Sequence, residues 1–199
     1  MSDRIGRGPE SRTRWSGVRV KNFFWLALLI APFSTFHAQQ QSQPPNDAAQ
    51  AQVFRGPFTL KLHIDKEHYY EEHFDKIPYV DKNAVYLFAG ENFGISFVSA
   101  GDEISQVVYQ PDAAKADVWL IFRQDKMKDD KPMMLLIIQN KLKRKLFLEA
   151  LMTIPESKGI HKTSIVPVGP GLSDYESWPH PIVQLVLQNF RFSERASGH

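Results

Sequence analysis

The sequence predicts an all-β protein: an antiparallel β-sandwich of about 8–9 short strands, immunoglobulin-like or jelly-roll-like, with at most short helical turns. Three observations predict it. Residues 58–64 alternate Phe58, Leu60, Leu62 and Ile64 with Thr59, Lys61 and His63, the period of a strand buried on one face. Eight further apolar, β-branched or aromatic runs follow. Turn residues separate them, and no helical pattern of the length a βαβ unit needs lies between.

The runs fall at 84–89, 94–98, 106–109, 118–123, 133–139, 146–154, 163–168 and 182–192. Between them lie Gly90-Glu91-Asn92, Gly101-Asp102, Pro111-Asp112, Asp129-Asp130-Lys131-Pro132, Ser157-Lys158-Gly159 and Gly169-Pro170-Gly171, residues that accept the dihedrals of tight turns. Residues 66–74 (KEHYYEEHF) read as a short helix or turn, and 111–116 (PDAAKA) as a single turn. Residues 142–152 suit a helix or a strand. They read here as a hairpin arm, with the polar NKLKRK stretch as its tip.

Ahead of this unit stand a basic lead, an apolar block at 23–31 (FFWLALLIA), Pro32 and a small-residue exit ending in Ala38. That is the pattern of a secretory signal peptide, and the block is too short for the roughly 20 residues a membrane span needs. Residues 1–38 are therefore expected to be cleaved near Ala38, with a translation start near Val18 as a second reading of the long lead. Residues 39–52 (QQQSQPPNDAAQAQ) have no apolar period and read as a disordered linker. The folded domain is expected over 53–192, followed by a flexible tail at 193–199. The mature chain is then periplasmic or secreted, with no transmembrane segment.

Charge follows the same division. The chain carries 24 Lys+Arg and 22 Asp+Glu, of which six basic and two acidic residues lie in 1–38, leaving 18 against 20. The basic excess belongs to the leader, so nucleic acid is not an expected partner. Cysteine is absent, which excludes disulfide staples, thiolate ligands and a thiol nucleophile. Stability must come from a packed core.

Two clusters carry candidate chemistry. His63, His68, Glu71, Glu72, His73 and Asp75 offer imidazole and carboxylate groups. His63, His68 and His73 can ligate zinc, with Glu72 as ligand or base to the bound water. The spacing opposes it, since His68 and His73 are five apart rather than the four that place two His on one helix face. Trp178-Pro179-His180-Pro181 is rigid and extended. Asp174, Glu176 and His180 there form a candidate acid–base group, although no nucleophile-elbow sequence accompanies them. Lys141, Lys143, Arg144 and Lys145 read as a lysine-rich tip that discourages edge-to-edge pairing.

Together these features read as an exported, non-catalytic β-sandwich module. It would bind an envelope or extracellular protein, glycan or lipid through loop aromatics Tyr69, Tyr70, Tyr79 and Trp178, with His180 beside them. The first alternative is an extracytoplasmic hydrolase, zinc-dependent through His63, His68, Glu72 and His73. The second is a structural or assembly subunit that offers an edge strand.

Overall fold

A computed structural model describes residues 52–126, 131–155 and 157–192. The expectations for the leader, for linker residues 39–51 and for the tail lie outside the described residues. The described residues form twelve strands: β1 (Phe58–His63), β2 (Tyr69–Phe74), β3 (Val80–Asp81), β4 (Ala84–Leu87), β5 (Glu91–Ala100), β6 (Glu103–Gln110), β7 (Val118–Lys126), β8 (Pro132–Asn140), β9 (Phe147–Thr153), β10 (His161–Thr163), β11 (Ser173–Trp178) and β12 (Gln184–Arg191).

These strands build a β-sandwich. The first sheet has the order β10-β9-β12-β4-β3, the second β11-β8-β7-β5-β6, and β1-β2 is a separate two-stranded ribbon. Every paired neighbour is antiparallel. Inner faces follow from side-chain alternation. Leu120, Phe122, Met134, Leu136 and Ile138 of the second sheet meet Val85, Leu87, Leu185 and Leu187 of the first, all of them fully buried. The ribbon adds Leu60 and Leu62 to this core. It is fastened by Gln124, whose side chain accepts from the His63 amide and donates to the His63 carbonyl, both at 2.8 Å.

Local chemistry explains several elements that hydropathy did not reveal. Residues 66–74, read as helix or turn, end in strand β2, because pairing with β1 outweighs the weak helical preference of YYEEHF. Segment 173–178, which lies outside the apolar runs, is the edge strand β11 on β8. β3 is only two residues long and hangs on a tight turn in which Lys82 and Asn83 have φ of 47° and 63°, the geometry of a type I′ hairpin. The run at 163–168 contributes a strand only to Thr163, plus one bridge from Val168 to Leu146.

The expected hairpin at 133–152 is not one. β8 belongs to the second sheet and β9 to the first, so residues 141–146 turn a corner between sheets and Lys141, Lys143, Arg144 and Lys145 are not a hairpin tip. Asn140 holds the corner. It is 1% exposed; its amide donates to the carbonyls of Arg144, Val168 and Gly169 and its oxygen accepts from the Leu142 amide. An asparagine satisfied on both atoms in the interior replaces the ladder that the chain leaves there. The turn at 111–116 forms as expected, with Lys115 and Ala116 amides bonded to the Asp112 carbonyl.

Candidate functional site

The β1–β2 ribbon carries most of the residues singled out above, and its register sorts them. Leu62 faces Tyr70 and Leu60 faces Glu72, so Tyr70 and Glu72 point toward the core side. His63 faces Tyr69, Lys61 faces Glu71 and Thr59 faces His73, so those side chains point outward. His63 and His73 share a face but stand four register steps apart, about 13 Å along the ribbon. His68 lies in the turn, its Nδ1 at 2.9 Å from a carboxylate oxygen of Asp65. Glu72 accepts a hydrogen bond from the Tyr70 hydroxyl. Zinc ligands must converge to about 2 Å from one ion. Among the described residues no group of three or more His, Cys, Asp or Glu could hold a metal.

Two titrations on this ribbon are displaced. Asp65 accepts from the His68 ring and from the Glu67 and His68 amides, which lower its pKa to about 2. Burial first, and then the hydrogen bond and charge of Glu72, raise the Tyr70 phenol to about 12.

The aromatics expected to form one surface are scattered. Tyr69 is exposed, with the Lys61 ammonium 3.6 Å from its ring centre. Tyr70 and Tyr79 are half-buried. Tyr79 stacks on Tyr109 at 4.2 Å and meets Phe93 edge-on at 5.0 Å. Trp178 is 8% exposed and lies in the core, its indole N–H donating to Thr163 Oγ1 at 3.1 Å. His180 is half-buried and donates from Nδ1 to the Pro181 carbonyl at 3.2 Å. Asp174 and Glu176 share the inward face of β11 with Trp178, because their partners Ile138, Leu136 and Met134 are buried. Glu176 accepts from the Val166 amide at 2.9 Å; burial, then the Asp174 carboxylate, raise its pKa.

Sequence reasoning missed two features. Arg55 is buried and grips Glu91, with its guanidinium 4.1 Å from the Tyr79 ring centre and 5.1 Å from that of Phe88. A lone arginine in the apolar stretch VFRGPF was the available signal. The second feature is the outer face of the second sheet. Ladder register places Tyr175, Ile137, Ile121 and Asn92 in one row across β11, β8, β7 and β5. Leu135 lies between Ser177 and Arg123 in the next row, and Met133 opposite Asp125 beyond it. Tyr175 is 66% exposed and the aliphatic side chains are half-buried by their neighbours. The Arg123–Asp125 ion pair borders this patch at one end. Its signal was the run MMLLII in β8, apolar on both faces where a half-exposed antiparallel strand alternates.

Comparison of the chain with protein-family models, with curated proteins and with solved structures finds no match.

Proposed function

We propose that the chain is an exported, non-catalytic binding module that docks a protein partner on the outer face of its second sheet. One observation carries this reading: β8 is apolar on both faces, and its outward Met133, Leu135 and Ile137 continue into Ile121 and Tyr175. The inward residues fill the core, and the outward set is only half-buried, leaving apolar surface exposed on this face. A contiguous apolar patch bordered at one end by an ion pair has the composition of a docking surface. Branched aliphatic rows favour a protein over a glycan, which is held by flat rings and polar groups. Export rests on the leader pattern at 1–38.

The test is site-specific photo-crosslinking from position 175 in producing cells. A discrete protein adduct, lost when Ile137→Lys and Ile121→Lys are introduced into a chain that still melts cooperatively, supports the reading. Adducts confined to lipid or glycan, or a protein adduct that survives both substitutions, overturn it.

A further inference from the structure

We infer that the open edge of β6 receives an extended peptide segment of a partner protein as an added strand, in a cleft separate from the outer face. This cleft of about 400 Å³ lies between Val53, Val80 and Asn83 on one side and Val107, Val108 and Tyr109 of β6 on the other. Its two walls are therefore the edges of the two sheets. One edge is already extended: residues 52–55 lie along 77–79, with the Arg55 amide bonded to the Ile77 carbonyl and the Tyr79 amide to the Val53 carbonyl. The other edge is not.

The ladder shows which groups of β6 stand open. Ile95 gives its carbonyl to the Asp117 amide, and the Phe97 amide donates to the Asp117 carboxylate. Both residues of β5 thus aim their peptide groups away from β6. Their register partners Tyr109 and Val107 must then aim theirs at the outer edge. The Val107 amide is met there by Asn83 Oδ1, and Asn83 Nδ2 donates to the Ser105 carbonyl, each at 3.0 Å. A side-chain amide so placed takes the position of a neighbouring peptide group. Immediately beyond it, the Val107 carbonyl and the Tyr109 amide have no partner among the described residues.

An acceptor and a donor on residues two apart along a strand edge are what an extended backbone bonds to. Valines 53, 80 and 108 beside them suit an apolar side chain at alternate positions of that peptide. The chain's own residues 39–51 fit poorly, since they offer alanine as their only aliphatic side chain and Pro44-Pro45 cannot donate.

The experiment uses the intact protein and a panel of blocked peptides of about ten residues with Val, Ile or Leu at alternate positions. The strongest binder is remade in two forms, N-methylated at either set of alternate amides. Strand addition predicts that one form binds as before and that the other is weaker by about 100-fold, each lost bond leaving a buried group unpaired. It also predicts slowed hydrogen exchange at the Tyr109 amide in the complex. The inference is overturned if no peptide binds more tightly than about 1 mM, or if the two methylated forms bind alike. It is equally overturned if a peptide of residues 39–51 displaces every other from the cleft. N-methylation leaves the protein unaltered, so no outcome depends on a variant that fails to fold.

Discussion

Arg55 engages both carboxylate oxygens of Glu91, through Nε to Oε1 and through Nη2 to Oε2 at 2.8 Å. The same guanidinium donates from Nη1 to the Pro78 carbonyl at 2.6 Å and from Nη2 to the Tyr86 carbonyl. Glu91 in turn accepts from the Phe88 amide at 2.9 Å. One charged pair therefore ties the strand start at β5 to β4 and to the segment before β3. The aromatic faces of Tyr79, Phe88 and Phe93 surround the cation.

Breaking this pair from one side should cost more than replacing it. Arg55→Ala leaves Glu91, whose side chain is 20% exposed, without its cation and strands two carbonyls. The expected loss is about 3 kcal/mol in urea denaturation. Arg55→Lys should recover little of it, because a lysine lacks the planar fork. The double variant Arg55→Met with Glu91→Gln should lose less than Arg55→Ala alone. Equal losses for both would show that the pair is worth no more than its packing.

Tyr70 supplies a pH-dependent signature on the ribbon. Its phenol is raised from the ordinary 10.0 to about 12, by burial first and by Glu72 second. A raised folded-state pKa gives stability that is complete below the unfolded value. That contribution is lost as pH rises from about 10 through about 12. Absorbance titration of the phenolates should therefore show two tyrosines ionising late: Tyr109, whose phenol burial also raises, and Tyr70. Glu72→Gln should bring Tyr70 down only partway, since burial persists. A full return to the ordinary value would assign the shift to Glu72 instead.

Gly94 is where the outer face is pinched. A Cβ there would collide with the Ala116 side chain and lie 2.9 Å from the Gln110 carbonyl and 3.0 Å from the Trp119 ring. The turn at 111–116 must thus ride directly on the β5 backbone. Gly94→Ala is expected to destabilise by about 1–3 kcal/mol, the usual cost of overpacking. Ala116→Gly should relieve part of that loss in the double variant. Additive costs in a denaturation cycle would mean that the two sites do not touch.

The class of fold was legible because it depends on alternation and turn residues, both local properties of the chain. Strands β1, β4 to β9 and β12 each carry enough apolar side chains to announce themselves. β2 and β11 do not. YYEEHF and SDYESW are polar at most positions and become strands only because β1 and β8 offer free ladder groups. The separation of β8 and β9 into different sheets was equally hidden, since it is set by Asn140 bonding four backbone groups around a corner. The candidate site suffered most. Residue type alone suggested a histidine cluster and an aromatic rim, whereas register sends His63 and His73 to opposite ends of a ribbon and Trp178 into the core.

Asp174 and Glu176 offer the sharpest test of the inner face of β11. Both point inward at the sheet edge, and Asp174 Oδ2 is a buried atom with no hydrogen-bond partner among the described residues. Inward carboxylates on an edge strand discourage pairing with other chains, at a cost to the fold. That cost is visible in Glu176, whose pKa is raised by burial and then by Asp174. A raised carboxyl pKa favours the protonated form in the folded state. Stability from this group is therefore greatest below its unfolded value, 4.5, and declines as pH rises through the higher folded value. Asp174→Asn removes the like charge and places an N–H donor beside Glu176. Glu176 should then titrate lower, and the variant should gain stability over the parent between mild acid and neutrality while matching it near pH 4.5, the unfolded value. Chemical-shift titration of Glu176 with parallel urea melts reads both effects. A variant that is destabilised equally at every pH would mean that Asp174 holds β11 in place by some contact other than its charge.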